Sequence, residues 1–126
     1  MPALDAIGVV CSDLRSTASF YRLVGLDVPD PGAETHLEAS GPGGIRIMFD
    51  TVEMIRSFSE WSEPTGGRPI ALAFLCADAA EVDTVWARVT DAGHDSKAEP
   101  FDAPWGQRYA TVLDPDGNPV DLFAPL

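Results

Sequence analysis

PWGQRYATVLDPDGNPVDLF, residues 104–123, is the stretch that decides the fold. Its centre, Asp114-Pro115-Asp116-Gly117-Asn118, is dense in turn formers. Pro115 presets φ, Gly117 tolerates φ > 0, and Asp and Asn side chains bond nearby backbone. Apolar-rich runs flank it at 108–113 and 119–124, which predicts a β-hairpin. With those turn residues as the loop, Leu113 faces Pro119, Thr111 faces Asp121 and Tyr109 faces Phe123. Side chains alternate along a strand, so Tyr109, Thr111, Asp121 and Phe123 share one surface. Ala110, Val112, Val120 and Leu122 share the other, which is wholly apolar and suits packing on a helix. The first surface, with two aromatics, a hydroxyl and a carboxylate, suits a ligand.

Working back along the chain, IALAFLC (70–76) reads as a strand. Ala77-Asp78 then opens a helix with Val82, Val85, Trp86 and Val89 on one stripe, ending near Gly93. Residues 96–101 supply a further strand before the hairpin. The first half has the same order. AIGVVC (6–11) is a strand, Ser12-Asp13 an N-cap, and Leu14, Ala18, Tyr21 and Leu23 a helical stripe running to Gly25. Residues 27–32 hold two prolines and read as a turn or edge segment. Residues 35–39 and 45–49 are strands joined by SGPGG, and 51–61 is a short helix or an irregular loop. Cys11-Ser12-Asp13 and Cys76-Ala77-Asp78 stand at matching places in the two halves, and duplication is the economical reading. The expectation is an α+β fold in one domain. Two βαβββ units, 1–62 and 69–126, are joined by a Pro/Gly-rich linker at 63–68. Their sheets fuse into one curled mixed sheet around a central cleft.

Charge narrows the partners. Eight basic against twenty acidic side chains give a formal net charge of −12 over 126 residues. Such a chain repels nucleic acid and anionic membrane surfaces. Cys11 and Cys76 lie in apolar runs, with no CxxC, signal peptide or membrane-length apolar segment. The expectation is a reduced, cytoplasmic protein with buried thiols; a disulfide between the two remains an alternative.

Alternation also names cleft residues. Ile70, Leu72, Phe74 and Cys76 form a bulky face for the helix, and Ala71 and Ala73 a small one for the cleft. Ile7, Val9 and Cys11 against Ala6 and Gly8 repeat that division. With 41–44 as the loop of the first hairpin, Glu38 faces Ile47 and His36 faces Phe49. The candidate ligand-binding residues are His36, Glu38, Phe49, Trp61, Trp105, Tyr109, Thr111 and Asp121. Trp86 sits on the helical stripe and belongs to the core. His94 follows Gly93 at a helix end, where a cationic group suits the dipole. No nucleophile stands at a telling distance from a base, and the 41–44 glycines lead into no helix, so no phosphate loop is present. Catalytic residues: none are expected.

The two units, Ser19-Phe20-Tyr21 with Gly25-Leu26, and the closing run from Asp114 to Leu122 resemble the vicinal oxygen chelate superfamily. It includes glyoxalase I, extradiol dioxygenases, fosfomycin-modifying enzymes, methylmalonyl-CoA epimerase and the bleomycin-resistance proteins. Pro104-Trp105-Gly106 is most similar to the bleomycin-resistance branch, whose members bind drugs without chemistry. The enzymes hold a divalent metal between the two halves. Carried over residue by residue, those positions are Ala6, Ile47, Ala71 and Asp121, and only Asp121 can donate to an ion. His36 and Glu38 with Asp121 are an alternative donor set; the commoner reading has His36 bonding a ligand or a neighbour. The resemblance thus implies the fold and a small-molecule ligand, with no metal and no cofactor. It also implies a homodimer. The function expected is metal-independent sequestration of a planar or cationic antibiotic. A metal-dependent lyase, isomerase or dioxygenase is the alternative, and an accessory protein of a biosynthetic pathway a third.

Overall fold

The computed structural model describes residues 1–40, 44–66 and 70–126. Most of the expected loop at 41–44, and residues 67–68 of the expected linker, lie outside the described residues. The chain forms two compact units, Met1–Thr65 and Gly66–Leu126. The fold is α+β, with one mixed sheet in each unit.

In the first unit, β1 (Ala6–Cys11) leads to α1 (Leu14–Leu23), β2 (His36–Ser40), β3 (Arg46–Thr51) and a short α2 (Val52–Arg56). The sheet order is β1-β3-β2, parallel between β1 and β3 and antiparallel between β2 and β3. Asp13 caps α1 by accepting from the Arg15 amide at 3.1 Å. Gly25, at φ +107°, closes it: the Leu26 amide reaches Tyr21 O and the Gly25 amide Arg22 O. Residues 27–32 form no strand. Pro29 and Pro31 have no amide hydrogen for a ladder. Instead Arg22 Nε donates to Val28 O (2.6 Å) and Arg15 Nη2 to Pro31 O (3.0 Å), tying the segment to α1.

The second unit runs β4 (Leu72–Leu75), α3 (Ala79–Asp91), β5 (Ser96–Ala103), β6 (Gln107–Leu113) and β7 (Pro119–Pro125). The sheet order is β4-β7-β6-β5, with only β4 and β7 parallel. Asp78 caps α3 by accepting from the Glu81 amide at 2.8 Å. Gly93, at φ +96°, ends α3 with the same pair of bonds that ends α1: His94 amide to Val89 O and Gly93 amide to Thr90 O. The two units therefore share local closing chemistry as well as element order.

Two expectations about faces are corrected. Ile70 was assigned to the helix side, but it precedes β4 and is 72% exposed. In the first hairpin, His36 pairs with Asp50, Leu37 with Phe49, Glu38 with Met48 and Ala39 with Ile47, one residue away from the expected register. A slip of one residue exchanges the faces of a strand. The observed register puts Leu37, Ala39, Ile47 and Phe49 on the buried side, and His36, Glu38, Arg46 and Asp50 on the open side. Phe49 is fully buried with its ring centroid 4.9 Å from that of Tyr21. It is a core residue, as is Ile47.

The closing hairpin has the expected register, with Leu113 opposite Pro119, Thr111 opposite Asp121 and Tyr109 opposite Phe123. Ala110, Val112, Val120 and Leu122 are fully buried, and α3 supplies buried Val82, Val85 and Val89. The turn closes on the nearly buried Asp114. Its carboxylate accepts from the Asp116 and Asn118 amides (2.9 Å each) and from Asn118 Nδ2 (2.8 Å). Cys11 and Cys76 are buried and form no disulfide, and Cys11 Sγ lies 3.6 Å from Asp50 O.

Candidate functional site

One face of the second sheet, half-buried at Tyr109, Asp121 and Phe123 and buried at Thr111, carries the densest chemistry. β6 and β7 bring Tyr109, Thr111, Asp121 and Phe123 to one surface because the turn fixes their register. Asp121 is clamped. Tyr109 Oη donates to Oδ2 at 2.6 Å and Thr111 Oγ1 donates to Oδ1 at 2.8 Å. Burial, reinforced by the bond to Asp121, pushes the Tyr109 phenol up to about 12. At neutral pH it is therefore a phenol that donates, not a phenolate that attacks. Each Asp121 oxygen keeps lone-pair capacity beyond the hydroxyl it accepts.

A tight turn joins β5 to β6. The Gly106 amide bonds Ala103 O at 3.0 Å, with Gly106 at φ +91°. Pro104 and Trp105 form its tip. The Trp105 ring, 59% exposed, meets Tyr109 edge-on at 5.4 Å and Phe101 at 6.1 Å. Tyr109 in turn stacks on Phe123 at 6.5 Å. Trp105 Nε1 donates to Gln107 Oε1 at 2.9 Å, which fixes the indole. Four aromatic rings thus form one cluster around Tyr109, whose hydroxyl holds the carboxylate, and such edge and stacked pairs contribute about 0.5–1.5 kcal/mol each beyond area. Phe101 escaped the sequence reading. Register shifts in β5 between Ser96 and Phe101 break the two-residue period that would have placed it on this face.

The open face of the first sheet holds a second polar group. His36 Nδ1 bonds Asp50 Oδ1 at 2.6 Å and His36 Nε2 bonds Glu38 Oε2 at 2.9 Å. Arg46 bonds Glu38 and, at 2.5 Å, Asp5 Oδ2. The bonds to Glu38 and Asp50 raise the imidazole above its ordinary 6.5, while those from His36 and Arg46 lower Glu38. Both ring nitrogens are engaged, so neither is a free base or ligand. Asp50 and Arg46 were missed because the first hairpin was read one residue out of register. Trp61 is half-buried beyond α2, and His94 follows the glycine that closes α3.

The residues do not fit the metal that the family's enzymes carry. Ala6 and Ala71 have no donor, and Ile47 lies on the buried face. Asp121 already accepts two hydroxyls. His36 cannot substitute: its two carboxylate partners sit on opposite ring nitrogens, so the three groups diverge instead of converging on a point. Among the described residues, no three His, Cys, Asp or Glu side chains are grouped to hold an ion.

The sequence profile of the Glyoxalase/Bleomycin resistance protein/Dioxygenase superfamily matches residues 3–122. An uncharacterized protein of Mycobacterium bovis is 30% identical over 132 residues, spanning 99% of this chain and 84% of the relative. A glyoxalase/bleomycin resistance protein/dioxygenase from Nocardioides superposes with a TM-score of 0.76 at 24% identity, over 100% of this chain and 85% of that one. A family enzyme from Burkholderia phytofirmans PsJN gives 0.81 at 21% identity, over 99% and 100%. At these identities the solved structures speak for the fold alone.

Proposed function

The chain belongs to the glyoxalase/bleomycin resistance protein/dioxygenase superfamily, and from that premise we propose that it binds a planar, cationic, antibiotic-like small molecule without a metal and without transforming it. One observation carries the reading: exposed Trp105 packs on Phe101 and Tyr109, and Tyr109, which also stacks on Phe123, holds the carboxylate of Asp121 through its hydroxyl. An aromatic ligand gains by stacking there, and a cation gains from the carboxylate and the ring faces. The donor set at the family's metal positions supports holding over chemistry, because a lone carboxylate among alanines and a buried isoleucine offers an ion too few ligands. Sequestration of a drug in the cytoplasm by a homodimer is the role this binding would serve.

The test is a titration with planar cationic antibiotics followed by Trp fluorescence, in the natural protein and in Trp105→Phe. Saturable quenching that weakens in the variant is expected. No change with any such compound at high micromolar concentration refutes the reading. So does one equivalent of tightly held Zn, Ni, Fe or Mn in the purified protein. Sedimentation showing only monomer at low micromolar concentration removes the dimer.

A further inference from the structure

We propose that His36, Glu38 and Asp50 form a proton-operated latch on the open face of the first sheet: the protonated imidazole ties both carboxylates, and its deprotonation releases Glu38 and bares Nε2 while Asp50 keeps the Nδ1 proton. The device belongs to the first sheet and does not depend on the ligand proposed above.

Strand register brings the three side chains together. His36 and Asp50 are direct partners across β2 and β3, and Glu38 stands two residues along β2 on the same face. Asp50 Oδ1 lies 2.6 Å from Nδ1 and Glu38 Oε2 lies 2.9 Å from Nε2. An ionised carboxylate only accepts, so each ring nitrogen must donate, and both donate only in the imidazolium. The geometry is therefore that of the latched, protonated state. The other charges nearby are few. Arg46 of β3 bonds the second Glu38 oxygen and also Asp5 Oδ2. β1 brings Ala6, Gly8 and Val10 to this face, none of them ionisable. The short α2 packs on β1 and β3, and among the described residues neither its Glu53 nor its Arg56 bonds His36, Glu38 or Asp50. α1 packs on the opposite face through Tyr21 and Phe49, and its Arg15 and Arg22 are held by Pro31, Val28 and Asp30. Cys11 Sγ reaches the backbone oxygen of Asp50, not its carboxylate.

Loss of one proton leaves a single N–H for two carboxylates, and their surroundings decide which keeps it. The Asp50 side chain is 18% exposed and that of Glu38 42%. Glu38 has Arg46 as a second partner, whereas among the described residues no side chain but His36 bonds the Asp50 carboxylate. Stranding the more buried carboxylate costs more than returning the exposed one to water. The proton therefore stays on Nδ1. Nε2 then turns a lone pair toward a carboxylate, the two repel, and Glu38 swings to Arg46 alone. The face passes from three carboxylates against two cations to three against one, and it gains an imidazole acceptor. The bonds to Glu38 and Asp50 set the folded value above 6.5, so the latch holds below that raised value and opens as pH rises through it.

The experiment follows the ligand-free natural protein through a pH series by NMR, with isotope-labelled imidazole nitrogens and Glu carboxyl carbons. Below the midpoint both ring nitrogens should carry protons. Above it Nδ1 should keep its proton and Nε2 should give the signal of a bare lone pair. The Glu38 carboxyl signal should move with the same midpoint as the ring. Glu38→Gln should shift the His36 midpoint downward, because one of the two anions that hold the proton is gone. Asp50→Asn should move the remaining proton to Nε2, because Glu38 is then the one carboxylate at the ring. A neutral ring protonated on Nε2 in the natural protein overturns the inference, and so does a Glu38 signal that ignores the ring's titration; both are read without any variant. An unchanged midpoint in folded Glu38→Gln, or a proton that stays on Nδ1 in folded Asp50→Asn, overturns it too.

Discussion

Replacing Tyr109 by Phe removes one oxygen and keeps the ring, so it isolates the hydroxyl clamp on Asp121. The phenol donates to Asp121 Oδ2 at 2.6 Å and titrates near 12 instead of 10. Taken at face value, that gap corresponds to about 2.7 kcal/mol of preference for the protonated ring in the folded protein. Burial, the larger cause of the shift, penalises only the phenolate and adds nothing at neutral pH, so the hydrogen bond between the half-buried Tyr109 and Asp121 contributes about 1 kcal/mol there. The sign follows from the direction of the shift. The folded value lies above the unfolded one, so the stabilisation is complete below pH 10 and fades as pH rises through about 12. Urea unfolding of the natural protein and of Tyr109→Phe, followed by fluorescence from neutral pH upward, measures the difference directly. The natural protein should be more stable by about 1 kcal/mol up to pH 10, and the gap should then close. Equal stabilities at neutral pH, or a gap as wide at pH 11.5 as at pH 7, would refute the clamp.

Three further outcomes are expected. His36 is raised by Glu38 and Asp50, so its stabilisation is complete below 6.5 and lost as pH rises through the raised folded value. Its ring protons should titrate above 6.5 by NMR, and a midpoint at or below 6.5 would disprove the two-carboxylate clamp. Phe49→Leu should destabilise by about 1–2 kcal/mol in urea, the cost of reshaping a filled core, while leaving ligand affinity unchanged. A selective loss of affinity would return Phe49 to the site. Gly117→Ala, at φ +85°, should cost about 1 kcal/mol in the same assay, and an unchanged midpoint would deny the turn its left-handed residue.

Local chemistry made much of the fold legible. The Asp114–Asn118 turn sets the register of its own hairpin, because a turn of defined length fixes which residues face one another. That register alone places Tyr109, Thr111 and Asp121 together. Asp13 and Asp78, each just after a strand, likewise marked both helix starts. The first hairpin had no such pin. Its alternation, His36-Leu37-Glu38-Ala39 against Arg46-Ile47-Met48-Phe49-Asp50, carries the observed register, from which a loop at 41–44 differs by one residue.

By itself, then, the sequence determined the element order, the helix caps and the closing hairpin. All of these depend on neighbours in the chain. Only the tertiary structure decided that Phe49 is core, that Phe101 and Trp105 lean over Tyr109, and that Asp121 accepts two hydroxyls. Those outcomes depend on a bulged strand, a turn geometry and side-chain packing, where groups distant in sequence compete for the same space and the winner is set by burial.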